Sequence, residues 1–204
     1  MHLQFYLPES WQWVKQKLGQ NSLPCTKDEI KEISVAAPGP LKILEDSEAT
    51  VKAFLDELSS SHIIHLACHG KQDPADPLKS ALYLYNGPVE LSHFMQKQHL
   101  QSPRLAFLSA CETALGIQHL PNESIHLAAS LTFVGFLSVV GTMWSIQDSD
   151  GPEIARHFYE SLFEGLENSH AEWDSATALH NAVQKLRESG VSFMRWMPFI
   201  HFGI

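Results

Sequence analysis

The stretch His62–Gly70, HIIHLACHG, decides how the chain is read. Ile63 to Ala67 are apolar apart from His65, without the alternation of a half-exposed strand, and such runs belong to central strands of parallel sheets covered on both faces. The pattern breaks at His69-Gly70. Open α/β sheets bind ligands in the crevice beyond the carboxyl ends of their strands, so His69 is expected at that edge. A second apolar run, RLAFLSAC, ends in the same way on a reactive side chain, Cys111. Two buried strands of one parallel sheet deliver their last residues to one edge, and neighbouring strands lie roughly 4.8 Å apart, which brings an imidazole and a thiol within reach. In such a pair the base takes the thiol proton and later returns it to the leaving amine. Gly70 lets a substrate backbone come close, and its N–H and that of Cys111 are expected to hold the developing oxyanion.

Working outward, the chain from Leu41 alternates short apolar strands with helices of ten or more residues, the pattern of a parallel sheet wrapped by helices. Leu41 to Leu44 reads as a first strand. In SEATVKAFLDEL, Val51, Phe54, Leu55 and Leu58 share one helical face, with Ser47 or Thr50 as cap. ALYLYNGPVEL reads as strand and turn, with Asn86-Gly87 supplying positive φ. NESIHLAASLTFVGF reads as an apolar helix capped by Asn122, and SVVGTMW as a further strand. Two helices, GPEIARHFYESLFEGL and AEWDSATALHNAVQKLRES, precede a closing strand in PFIHFGI. The expected fold class is α/β, a three-layer α-β-α sandwich on a mostly parallel sheet spanning residues 41–204. Residues 1–40, punctuated by LPES, SLPCT and AAPGP, read as a lead-in segment or the remnant of a larger chain, with WQWVKQKL an isolated amphipathic helix.

The 204 residues, 44% hydrophobic and 18% charged, suit one core. A net charge of -9 with 14 scattered basic residues excludes a nucleic-acid footprint. No apolar run approaches the ~20 residues of a membrane span, and the N-terminus lacks the layout of a signal peptide. Cys25, Cys68 and Cys111 form no disulfide framework, so a reducing, cytoplasmic setting is expected.

The remaining chemistry-bearing residues read as follows. Cys68 alternates to the face opposite the base and is expected to be structural. His65 and His69 are four strand steps apart, about 13 Å, too far to share a metal; His65 is expected to be a hydrogen-bonded core residue, and no metal or organic cofactor is expected. His126 and His180, on apolar helices, read as structural. Asp148 and Asp150 precede Gly151-Pro152, where acids favour a helix N-terminus; Asp148 fits a substrate pocket equally well, and Asp150 fits an exposed capping turn. Glu112 faces substrate or solvent, and Glu123 belongs to a first helical turn. Trp144 is expected to wall the cleft, Trp173 and Trp196 to close the core. LGIQHLPNE lacks the residues of a nucleotide loop, and no G-x-S-x-G elbow occurs.

HLACHG and LAFLSACETALG, followed in order by LPNESIHLAAS, VVGTMWSIQDSD and PFIHFGI, resemble the CHAT domain over about residues 40 to 204. That family is caspase-like and often fused to tetratricopeptide repeats. The resemblance implies a cysteine endopeptidase with His69 and Cys111 as dyad, acting on a protein or peptide substrate, with a regulatory repeat region upstream or in a partner. A catalytically silent peptide-binding scaffold of the same fold is the alternative. In metacaspase-like relatives that cut after basic residues an aspartate stands two positions before the cysteine; here that position is Ser109, which leaves Ser109 and Asp148 as the candidate specificity pocket.

Overall fold

The computed structural model describes residues 25–71, 73, 76–96, 100, 103–109, 123–168 and 174–204, with the backbone alone for 11–15, 77, 123–127, 129 and 165–168. In chain order the strands are β1 (Trp11–Lys15), β2 (Lys42–Leu44), β3 (Ile63–Ala67), β4 (His69–Lys71), β5 (Ala81–Leu84), β6 (Gly87–Glu90), β7 (Leu105–Leu108), β8 (Ser138–Thr142) and β9 (Phe199–Gly203). The helices are α1 (Thr26–Ala36), α2 (Val51–Leu58), α3 (Leu91–Gln96), α4 (Glu123–Val134), α5 (Asp150–Asn168), α6 (Ser175–Glu188) and α7 (Phe193–Trp196). Six strands form the main sheet in the order β2-β1-β3-β7-β8-β9, and β4-β5-β6 form a second, smaller one. All main-sheet pairs are parallel except β8 with β9.

Strand β3 is buried along its whole length, as its apolar composition requires: all five of its residues are closed to solvent, and so are the four of β7. Side chains alternate between two cores. Ile63 and Ala67 face α1, α5 and α6, where Ile33, Phe158 and Leu179 pack. Ile64, Leu66 and Cys68 face the other layer, with Phe54 of α2, Phe94 of α3 and Leu131 of α4. The small sheet lies on this second side, since Leu82, Leu84 and Val89 belong to the same core. These are the three layers that the alternation of strands and helices predicts. Among the described residues no helix is long and apolar enough to cross a membrane.

Two readings of the sequence are corrected here. WQWVKQKL is not an isolated amphipathic helix at its start, because Trp11–Lys15 is a strand hydrogen-bonded between β2 and β3. Trp11, Val14 and Leu18 recur at helical spacing, but pairing with β2 and β3 on both sides overrides that local pattern. Helix α1 also places Ile30 and Ile33 in the core shared with α5 and α6. Segments before residue 40 therefore contribute to the same sheet and the same core as residues 41–204. The second correction concerns the end of HLACHG. The main-sheet strand stops at Ala67, the chain bends at Cys68, and His69 opens β4, antiparallel to β5.

Thr50 is the cap of α2, its hydroxyl accepting the Ala53 N–H at 3.1 Å. Gly87 takes a positive φ of 151°, but Asn86 does not. Asn86 instead uses its side-chain oxygen to accept the Val51 N–H at 2.8 Å, so the turn of the small sheet caps the first turn of α2. At the other end of the chain, Gly203 has φ 113°, and a Cβ built there would stand 2.0 Å from the Leu137 carbonyl oxygen. Any side chain at 203 must push β9 off the start of β8. Gly203→Ala is expected to lower stability by about 1–3 kcal/mol, read by urea unfolding, and to weaken the bond from Ile204 N–H to Leu137 oxygen.

Candidate active site

The site is built on the pairing of β3 with β7. The two strands run parallel with Ile63 opposite Leu105 and Leu66 opposite Leu108. In sequence, His69 and Cys111 stand at equal offsets beyond the last paired residues, Leu66 and Leu108. His69 is 4% exposed and lies opposite Tyr83 in the β4–β5 pair; Gly70, half-buried, lies opposite Leu82. Ser109 follows β7 directly and is buried. Cys111, Glu112, Asn122 and Trp173 lie outside the described residues, as do the side chains of Glu123 and His126.

Cys68 behaves as its alternation predicts. It is completely buried among Ile64, Leu66 and their neighbours, and burial pushes its thiol up to about 12. At neutral pH such a group holds no appreciable thiolate and is neither nucleophile nor ligand. Cys25, just before α1, is half-buried; burial and then the adjacent Asp148 carboxylate raise its thiol as well.

The two aspartates divide their roles. Asp148 is half-buried, and its Oδ2 accepts the Cys25 N–H at 3.0 Å, tying the turn after β8 to the start of α1. Asp150 opens α5, as a first-turn acid should. It is not in an exposed turn, however: only 1% of it reaches solvent, because Arg195 of α7 closes over it with Nε donating to Oδ2 at 3.0 Å and Nη2 donating to Oδ1. A bidentate guanidinium is a partner from a distant helix, which local sequence does not announce. Trp144 is half-buried beyond β8 and donates its indole N–H to the Met194 carbonyl at 3.2 Å. Trp196 packs on the core of α5 and α6, with the Arg187 guanidinium 5.5 Å from its ring centre. His180 is exposed on α6, not at the structural position expected.

His65 is a hydrogen-bonded core residue, as expected. Its Nδ1 lies 3.0 Å from the Tyr159 hydroxyl and its Nε2 3.0 Å from Glu29 Oε1, and all three residues are buried. Glu29 was not singled out from the sequence. Its signal is its place at i+3 from Thr26, one residue before Ile30 and four before Ile33, on the buried face of α1.

The CHAT domain family model matches residues 8–204. The chain belongs to the CHAT domain family. No curated protein sequence matches it. Among solved structures, this CHAT domain resembles the Arg-specific cysteine proteinase gingipain R (RGPB) with TM-score 0.59 and 12% identity, over 95% of this chain and 45% of that one. It resembles a complex of Porphyromonas gingivalis RgpB pro- and mature domains with TM-score 0.61 and 12% identity, over 97% and 47%. It also resembles the Saccharomyces cerevisiae separase–securin complex with TM-score 0.57 and 16% identity, over 96% and 11%. These likenesses show the caspase-like fold, with helices on both faces of a mostly parallel sheet. The chain spans less than half the length of the structures it matches.

Proposed function

We propose that this CHAT domain is a cysteine endopeptidase that hydrolyses a peptide bond in a protein partner through His69 and Cys111. The observation that carries the reading is the parallel β3–β7 pair, beyond which the two residues follow at the same offset. The family and the cysteine proteinase named among the fold's neighbours support it. In this mechanism His69 takes the Cys111 proton as the sulfur bonds to the scissile carbonyl carbon. The backbone N–H groups of Gly70 and Cys111 hold the resulting oxyanion. Collapse of the intermediate breaks the C–N bond, the amine leaves with the proton from His69, and water then cleaves the thioester by the same base.

Ser109 and Asp148 are the residues proposed to meet the side chain before the cut. Ser109 brings no charge, so any preference for a basic residue falls to Asp148, whose Oδ2 already serves Cys25. Regulation by a repeat region, upstream or in a partner, belongs to the same proposal and rests on the family resemblance alone.

Covalent labelling by a peptide electrophile tests the dyad. Cys111 is expected to label, and His69→Ala to slow labelling by roughly a hundredfold or more, the scale of a general base. Labelling that is indifferent to His69 would favour the binding-only scaffold.

A further inference from the structure

Beneath the two strand ends lies a buried polar chain that the hydrolytic steps do not use. Glu29 and His65 are each 3% exposed, and Tyr159 is fully buried. Glu29 Oε1 and the Tyr159 hydroxyl flank the His65 ring at 3.0 Å each. The ring stacks on Phe107 with centroids 4.6 Å apart and 7° between planes. Phe107 in turn meets Phe158 and Tyr159 of α5 at 5.0 and 5.9 Å. His65 and Phe107 are register partners across β3 and β7, and His69 and Cys111 follow them four residues on along their respective segments.

The proton positions are dictated by the groups. Burial pushes the His65 imidazole down despite the neighbouring carboxylate, so the ring is neutral and carries one N–H. A carboxylate only accepts, so the hydrogen sits on Nε2 and is donated to Glu29, while Nδ1 accepts from the Tyr159 hydroxyl. One tautomer and one ring plane satisfy all three partners. The other carboxylate oxygen, Oε2, approaches the start of α5, 3.1 Å from where a Cβ on Gly151 would stand; the Ser109 hydroxyl is 3.4 Å from the same point. Glu29 thus ties α1 to β3, brings its second oxygen against α5, and shares the space at Gly151 with Ser109.

We propose that Glu29 is a positioning residue for the candidate site: through His65 and the stacked Phe107 it sets the relative height and twist of β3 and β7, and with them the place of His69 just beyond the end of β3. The peptidase reading supplies the role of His69, and the network stands independently of it. Stability alone does not account for a carboxylate at this depth, since an apolar group of similar shape commonly packs there as well or better, whereas a fixed polar geometry confers specificity.

The test uses the whole chain carrying Glu29→Gln, which keeps the shape and an acceptor oxygen but removes the charge, and Tyr159→Phe, which removes one hydroxyl and guards against a misfolded first variant. Ring resonances of His69 are followed by NMR, and kcat and KM are measured on a cleaved substrate. Both variants are expected to shift the His69 resonances, and Glu29→Gln to lower kcat about tenfold with KM changed less than about twofold. Folded variants whose His69 resonances coincide with those of the parent would overturn the proposal, leaving the network a core contact. If Cys111 never labels in a His69-dependent way, the peptidase reading fails, and the His69 resonances still decide whether Glu29 sets the strand ends.

Discussion

Cys111→Ala is expected to eliminate proteolysis, by roughly 10³-fold or more, because in the proposed mechanism the acyl intermediate forms on the Cys111 sulfur. The measurement is a survey of cleavage sites in a mixed protein digest, comparing the parent chain with the variant; sites lost in the variant define both the activity and the residue before the cut. Cys68→Ser is the matched control. Cys68 is adjacent to the base in sequence, but it lies wholly inside the α2–α3–α4 core with its thiol pushed up to about 12. It supplies no thiolate near neutral pH, so its replacement is expected to leave the cleavage sites in place at a temperature where the variant stays folded. Loss of cleavage in Cys68→Ser with retention in Cys111→Ala would reverse the assignment.

The contrast between these cysteines shows what was legible in the sequence. Apolar runs such as HIIHLA and RLAFL fit strands buried on two faces, and their alternation with helices along the chain points to a covered, mostly parallel sheet. Alternation gave Cys68 a structural place, and it lies in the α2–α3–α4 core. What escaped is non-local. The strand at Trp11–Lys15 is decided by its neighbours β2 and β3, not by its own pattern. The burial of Asp150 is decided by Arg195, which arrives from α7. Glu29 was visible as a charge on an apolar helical face, but its partner His65 sits on a strand in another part of the chain, and only the packed structure joins them.

That joined pair is also expected to contribute to the response to acid. His65→Leu is expected to destabilise the domain by about 3–5 kcal/mol, the cost of breaking a buried pair from one side, since it strands the Glu29 carboxylate and the Tyr159 hydroxyl without their partner. Replacing Glu29 by leucine as well should recover part of the loss, because removing both members of a buried pair costs less than orphaning one. The parent protein carries a linked pH dependence. Burial holds His65 below the ordinary histidine value of 6.5, and burial does the same for His201. Below about pH 6.5 the unfolded chain binds protons that the native chain refuses, so stability rises with pH and falls as pH drops through that value, by at most about 1.4 kcal/mol per pH unit for each such proton. Urea unfolding at pH 7, 6 and 5 reads this slope directly. His65→Leu removes one of the refusing groups, and its slope between pH 6 and 5 is expected to be shallower than the parent's. An unchanged slope would mean that His65 takes up its proton in the native protein as readily as in the unfolded chain, and that the Glu29–His65–Tyr159 chain is held by an imidazolium rather than by the neutral ring.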